Sequence, residues 1–121
     1  MMKKTPVVGQ TYSPQEQANM HGGSPFQCAP MSGGKVTLLR FRPEWNPEAP
    51  GTIQWHTKDD PKLPIIQRQS QETPIPVYLK RADAEWEYMG RFRVGRAVDV
   101  GGYYADARGP IYYRIDMEDV S

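Results

Sequence analysis

Proline and glycine interrupt this chain so often that a long helix cannot form in it. The 121 residues include 12 Pro and 11 Gly, and both residue types destabilise the interior of a helix. Only short stretches between them are free to become regular structure. The distribution favours a loop-rich β or α+β fold, and the length fits a single domain over residues 1–121.

Alternation of apolar and polar residues predicts two long strands in the last third of the chain. Residues 86–94 and 111–118 both show this period of two, which is typical of half-buried strands. Gly90 lies within the apolar positions and indicates a bulge or a bend. A flexible Gly-rich loop is expected over 99–110. The apolar residues expected on one face of the first strand are Trp86, Tyr88, Phe92 and Val94.

Two short helices and three further strands complete the predicted secondary structure. After an irregular lead-in over 1–12, Ser13 and Glu16 form a capping-box pattern around Pro14, and Gly22-Gly23 ends the helix. The remaining elements are a hairpin turn at Gly33-Gly34, strands over 35–42, 52–56 and 77–80, and a short helix within 62–71. These patterns predict an α+β fold, namely a small, strongly bent antiparallel β-sheet or partly open β-barrel with one or two short helices.

Charge and cysteine content limit the classes of partner and compartment. Fifteen basic residues against fourteen acidic ones give a net charge of +1, so bulk charge alone does not hold this protein on nucleic acid. A single cysteine, Cys28, excludes an internal disulfide. No apolar run approaches the roughly 20 residues that span a bilayer. We therefore expect a cytoplasmic protein without a membrane partner.

The motifs of common enzyme classes are missing. A phosphate-binding loop ending at Lys35 would need Gly at position 29 and Ser or Thr at 36, where Ala29 and Val36 stand. The acid that a metal-dependent nuclease needs two residues before Lys80 is replaced by a tyrosine. A thiol–imidazole pair would have to join Cys28 to one of two histidines, without spacing evidence. We predict a non-enzymatic protein with no cofactor, metal or catalytic residue.

Aromatic and basic side chains in loops and at strand ends are better suited to binding. Rings stack on nucleobases and arginines contact phosphates, so this combination is typical of a nucleic-acid reader. An alternative is a solvated sheet face with paired charges, and Trp45 can also fold into the core. The candidate ligand-binding residues are Trp45, Asn46, Trp55, His56, Tyr103 and Tyr104, and the candidate phosphate-binding residues are Arg40, Arg42, Arg91 and Arg93.

Several short motifs occur in an order that resembles a known family. They include the Asn46-Pro47-Glu48-Ala49-Pro50 loop and the strand from Trp86 through Tyr88 and Gly90 to Phe92. Over about residues 9–96 the chain resembles a small domain of unknown function from fungal and bacterial proteins, some of them restriction-associated. The resemblance implies a PUA-like or SRA-like fold, a compact β-barrel group that binds RNA or modified DNA bases. It carries over no site residues.

Three functions remain open from the sequence. The first is a nucleic-acid-binding module, for DNA rather than RNA, that reads a modified or flipped base. The second is a protein-interaction module, such as a phage or mobile-element inhibitor or an accessory subunit of a host defence complex, because exposed Tyr, Trp and Arg also dominate protein interfaces. The third is a nucleotide-signal binder that uses the same rings and arginines.

Overall fold

A computed structural model of the chain describes residues 5–104 and 109–120, apart from the side chains of 103 and 104. Within these residues the fold is α+β, as predicted, with a six-stranded mixed sheet, a two-stranded hairpin and two helices. The elements are β1 (Thr11–Tyr12), α1 (Pro14–His21), β2 (Met31–Ser32), β3 (Lys35–Val36), β4 (Leu39–Phe41), β5 (Thr52–Trp55), α2 (Lys62–Glu72), β6 (Ile75–Ala82), β7 (Glu85–Tyr104) and β8 (Pro110–Asp119).

The main sheet is mixed and is not closed into a barrel, which corrects the expectation of a strongly bent antiparallel sheet or partly open β-barrel. Its strand order is β4-β6-β7-β8-β5, with β1 attached to β7. Strand β4 runs parallel to β6, and the other described pairs are antiparallel. Parallel pairing is feasible because the connection over 42–74 contains α2, and such crossovers need a dozen residues or more. The sheet does not close because, among the described residues, the edge strands β4 and β5 are not paired with each other.

Helix α1 begins and ends where the sequence predicts. The Ser13 hydroxyl accepts a hydrogen bond from the Glu16 amide at 3.1 Å, and the Glu16 carboxylate accepts one from the Ser13 amide at 2.9 Å. This reciprocal pair satisfies two amides that no helix carbonyl can reach. Gly22 follows at a φ of 86°, a left-handed conformation that suits glycine and ends the helix.

Both faces of the sheet are buried, each in its own cluster. On β6, Val77 belongs to a large cluster that includes α2, whereas Tyr78 belongs to a smaller cluster that includes Met20 of α1. Successive strand residues point to opposite faces, so the two helices cover different sides. The sheet is therefore a central layer between two short helices.

A bulge in β7 divides an alternation that looks continuous in the sequence. Tyr78 pairs with Tyr88, but Val77, the residue before Tyr78 in β6, pairs with Gly90. Strand β7 therefore contains one extra residue there. Gly90 has a φ of 112°, which glycine tolerates. The predicted bulge is confirmed, but the prediction of a single apolar face over 86–94 was wrong. Trp86 and Tyr88 pack in the smaller cluster, and Phe92 and Val94 pack in the larger one.

Three predicted segments also differ in extent. Thr11 and Tyr12 of the expected lead-in pair with β7. The expected strand over 35–42 is divided into β3 and β4. Much of the expected loop over 99–110 is paired backbone, since residue 103 is opposite Ile111 and residue 104 is opposite Pro110. A register shift between 99 and 103 absorbs the two glycines, so they interrupt the ladder without ending it.

In the described part of the chain, neither helix has the length and apolar character needed to cross a membrane.

Candidate functional site

An open cleft of about 640 Å³ lies at the carboxyl end of β4 and next to β5. Its walls come from segments distant in sequence: the loop over 25–28, the residues after β4, the end of β5, and single side chains of β6 and β7. The parallel pairing of β4 with β6 brings these segments together. Ligand clefts in proteins commonly enclose about 300–1,000 Å³, so this cleft has the size of a small-molecule or nucleobase site.

Arg40 forms part of the cleft wall although its side chain is buried. It is 4% exposed, and its Nε donates a 2.7 Å hydrogen bond to Oε1 of Gln17 in α1. Its Nη1 donates to the backbone carbonyls of Ser24 and Gln27, at 3.0 and 2.7 Å. These bonds fix the plane of the guanidinium and tie the loop over 24–27 to β4.

Arg40 has no carboxylate partner among the described residues. Burial lowers its pKa, but an arginine remains protonated at neutral pH. A buried charge is costly unless it is paired or fully hydrogen-bonded, and Nη2 of Arg40 is buried without a partner. One strong donor on a fixed cation is therefore left without a partner in the wall of the cleft.

Two more side chains of the cleft carry a buried polar atom without a partner. They are Gln54, through Oε1, and His56, through Nε2. In the described part of the chain, these atoms and Nη2 of Arg40 are the buried side-chain polar atoms without a partner, and all three residues line this one cleft. Most buried polar groups in proteins are hydrogen-bonded, so their concentration here indicates a site for a polar ligand.

His56 is oriented by one hydrogen bond and one aromatic contact. Its Nδ1 lies 3.1 Å from the carbonyl oxygen of Pro110. A carbonyl only accepts, so Nδ1 carries a proton, and in the imidazole tautomer that this contact selects the lone pair is at Nε2. Trp45 packs edge-to-face against the imidazole, with centroids 5.5 Å apart. The contact with Pro110, the first residue of β8, also brings the loop end of the β7–β8 hairpin next to the cleft.

Aromatic rings form much of the remaining wall. All three tryptophans of the protein, Trp45, Trp55 and Trp86, line the cleft. Trp55 is buried in the larger core cluster and donates from Nε1 to Asp60 at 3.2 Å. Trp45 is 40% exposed, and Phe26 on the opposite loop is 92% exposed. Solvent-facing rings at a polar cleft are suited to stacking on a planar ligand.

The charged residues that line the cleft are mainly cationic. Arg40, Arg42 and Lys80 contribute positive charge, against the single carboxylate of Asp60. Arg42 is exposed and has no ion pair with a described residue. Lys80 lies 3.5 Å from Asp83, whose side chain is fully exposed, and such pairs contribute little. The electrostatics of the cleft therefore favour an anionic ligand even though the whole chain is nearly neutral.

Cys28 also lines the cleft but is not an activated nucleophile. The residue is exposed, yet the cleft wall crowds its thiol, and this desolvation raises the pKa. A raised pKa keeps the thiol protonated at neutral pH, which is the unreactive form. His21 lies elsewhere, with Nε2 2.7 Å from the Tyr78 hydroxyl.

Four predicted ligand-binding residues meet at the cleft, although not all keep a free polar group. Trp45, Asn46, Trp55 and His56 line it. Oδ1 of Asn46 accepts a 2.6 Å hydrogen bond from the backbone N–H of Gln54. This oxygen is therefore committed to orienting β5. The side chains of Tyr103 and Tyr104 lie outside the described residues.

The predicted phosphate-binding residues are divided between two regions. Arg40 and Arg42 line the cleft, and Arg91 and Arg93 do not. Arg93 instead forms a 3.1 Å ion pair with Glu118 across β7 and β8. The cleft therefore contains two of the four candidate arginines. The spacing of Arg91 and Arg93 predicts that they share one face of a strand. It does not show which end of the sheet that part of the strand occupies.

The cleft residues that sequence reasoning missed include Phe26, Gln54, Lys80 and Trp86. Phe26 carries the one signal that was readable, since it is a large aromatic residue in a loop between two prolines. Gln54, Lys80 and Trp86 lie in the strands β5, β6 and β7. In these segments the sequence pattern indicates a strand but gives no sign of a binding role. Only the pairing of β6 with β7, and of β5 with β8, determines which strand ends meet.

Among the residues that the structure describes, no three His, Cys, Asp or Glu side chains come together as a metal site. Comparisons of the chain with known families, with curated proteins and with solved structures found no match. Function is therefore inferred from the cleft itself.

Proposed function

We propose that this protein is a non-enzymatic nucleic-acid-binding module that takes one base of a strand into the cleft. The observation that carries the proposal is the concentration of three buried, unpartnered polar atoms in one aromatic, cationic cleft. Such atoms are costly in the free protein, and a ligand that bonds to them recovers that cost. A base has the required planar face and polar edge.

The size and the rings of the cleft support a base as the occupant. The volume of about 640 Å³ is ample for a nucleobase with its sugar. Trp45 and Phe26 offer exposed ring faces at the cleft. Each stacked base typically contributes about 1–3 kcal/mol to binding.

The cations divide into an inner and an outer role in this proposal. Arg40 is too deeply buried to follow a phosphate backbone, so we assign it to the inserted base. Arg42 is exposed and Lys80 has only a weak ion pair, so we assign these two to the flanking phosphates. Two phosphate contacts add affinity without depending on base sequence.

The same proposal extends the resemblance to PUA-like and SRA-like domains, which bind RNA or modified DNA bases. A flipped or unpaired base suits this cleft, because a base within a duplex cannot reach buried groups. We assign no catalytic step to the cleft. The protonated Cys28 thiol and the Pro110-bound His56 ring support a binding role.

Fluorescence anisotropy with labelled oligonucleotides tests the proposal. Single strands, and duplexes with one unpaired base, are expected to bind more tightly than fully paired duplexes. For a single strand, two phosphate contacts predict a slope of about −1.4 in a plot of log K against log salt. Arg42→Met should reduce the size of that slope by about half. Arg93→Met is the matched control, since its guanidinium is paired with Glu118 and lies outside the cleft.

Three outcomes would count against this function. Tightest binding to fully paired duplex would exclude base insertion. An affinity independent of salt would exclude the phosphate contacts. Free nucleotides that bind as tightly as oligonucleotides would favour a nucleotide-signal binder.

A protein-interaction module is the second candidate, and one observation favours it. Phe26 and Trp45 are exposed at the cleft, and aromatic anchors dominate protein interfaces. A partner that is retained from nuclease-treated host lysate, and lost with Phe26→Ser, would support this candidate. No oligonucleotide should then bind in the anisotropy assay.

A further inference from the structure

The hydrogen-bonding groups of the cleft point to one base in particular. Resting on the proposed function, we infer that the cleft selects guanine over the other ordinary bases. The inference depends on which of the three unpartnered atoms donate and which accept.

Arg40 supplies the donor. Its Nε and Nη1 are committed to Gln17, Ser24 and Gln27, at distances from 2.7 to 3.0 Å. What remains is Nη2, a charged N–H donor that cannot accept. The guanidinium is held by three hydrogen bonds before a ligand arrives. It therefore selects a ligand with a carbonyl or anionic oxygen, and it rejects one that presents only N–H groups.

His56 supplies an acceptor. Because Nδ1 donates to the Pro110 carbonyl, Nε2 is the acceptor nitrogen of the imidazole tautomer. The edge-to-face contact with Trp45 holds the ring plane. A ligand must then bring an N–H group to Nε2.

Gln54 supplies a second acceptor. Its backbone N–H donates a 2.6 Å hydrogen bond to Oδ1 of Asn46, which holds the backbone of Gln54 in position. Its Oε1 is buried without a partner. Gln54 lies in β5 and His56 directly follows its last residue, Trp55. A spacing of two residues along a strand places side chains on the same side. The unpartnered buried atoms of the cleft therefore comprise one cationic donor and two acceptors that are close in sequence.

Guanine is the ordinary base whose edge complements this set. It presents the O6 carbonyl beside two adjacent donors, N1–H and the N2 amino group. Cytosine, thymine and uracil each present one donor group beside two acceptors. Adenine lacks a carbonyl. Arginine to guanine O6 or N7 is also the commonest base-specific contact in protein–DNA complexes.

A single-substitution panel tests the inference without altering the protein. The probe is a thymine octamer in which one central base is guanine, hypoxanthine, 2-aminopurine, adenine or cytosine. Hypoxanthine lacks the amino group, and 2-aminopurine lacks the O6 carbonyl and N1–H. Guanine should bind most tightly, and adenine and cytosine should bind at least about fivefold more weakly, the lower limit for one good pair. The affinity for the hypoxanthine octamer should fall between those for guanine and adenine. The 2-aminopurine octamer should bind more weakly than guanine, because it lacks the oxygen that contacts Arg40.

Variants then locate the selectivity. Gln54→Met and His56→Phe each remove one acceptor at similar volume, and each should reduce the preference for guanine over adenine. Gln71→Met, on an exposed residue of α2, is the control and should leave the preference unchanged. Circular dichroism and thermal unfolding verify that each variant is folded.

The outcomes separate this inference from the function beneath it. Equal affinity for all five octamers would overturn guanine selection and leave base binding intact. Preference for adenine or cytosine would overturn the donor and acceptor assignment. Failure of every octamer to bind would overturn the proposed function itself.

Discussion

Oε1 of Gln17 accepts a 2.7 Å hydrogen bond from Nε of Arg40, and both side chains are buried. Gln17 is fully enclosed, and its own Nε2 donates to the Tyr12 carbonyl at 3.0 Å. A polar residue of α1 thereby links the strand β1 to the guanidinium of the cleft. The helix is short, yet its packing determines the position of the group to which we assign recognition.

Replacing Gln17 with Met should destabilise the protein by about 1.5–3 kcal/mol. Methionine matches the volume but leaves a charged donor without its acceptor, and hydrogen bonds to charged groups contribute about that much. Urea unfolding measures the change. Gln15→Met is the control, because Gln15 is exposed on the same helix, and it should stay within about 0.5 kcal/mol of the parent. Equal stability of the two variants would contradict the account of Arg40.

Replacing Trp45 with Ala should weaken oligonucleotide binding about fivefold or more and change stability little. Loss of one stacked base typically costs about 1–3 kcal/mol, and a ring that is 40% exposed contributes modestly to the core. Anisotropy and urea unfolding measure the two quantities. Ile65→Ala on α2 is the control, since Ile65 is 39% exposed and lies outside the cleft. An unchanged affinity for Trp45→Ala would remove this ring from the site.

Cys28 should react slowly with iodoacetamide at neutral pH. Desolvation raises its pKa, so the folded protein holds less thiolate than an unfolded chain does at the same pH. The midpoint of the rate against pH should lie higher for the folded protein than in denaturing urea. Cys28→Ser is the control for alkylation elsewhere. A lower midpoint in the folded state would identify an activated thiol and would reopen a catalytic role.

The protein should lose stability as the pH rises above about 10. Burial raises the pKa of Tyr78 and of Tyr88. An unfolded tyrosine ionises near about pH 10, so above that pH the unfolded chain has released protons that the folded protein still holds. Stability then falls with rising pH. Tyr78→Phe should make the decline shallower, as urea unfolding at pH 9 to 11.5 measures. A flat profile in the parent would contradict the burial of these hydroxyls.

Local signals in the sequence were reliable where a few neighbouring residues decide the structure. The capping box at Ser13 and Glu16, the turn at Gly33-Gly34 and the bulge at Gly90 all follow from adjacent residues, and all are found. The same reasoning failed for the faces of β7. Alternation does not show that one extra residue moves Phe92 to the opposite face from Tyr88.

Half of the site was also predictable, for a related reason. The loop with Trp45 and Asn46 and the end of β5 with Trp55 and His56 are recognisable as rings beside polar groups. Gln54 was not recognisable, because an isolated glutamine in a strand is usually solvated. Its role depends on burial and on the lack of a partner, which only the packed structure reveals.

Intrinsic tryptophan fluorescence tests most directly whether the cleft is the binding site. All three tryptophans line the cleft, so their emission reports on this region. Titration with a guanine-containing octamer should quench the emission to a saturating value, with the same midpoint that anisotropy gives. Anisotropy that shows binding while the emission stays constant would place the oligonucleotide elsewhere on the protein and contradict the proposal.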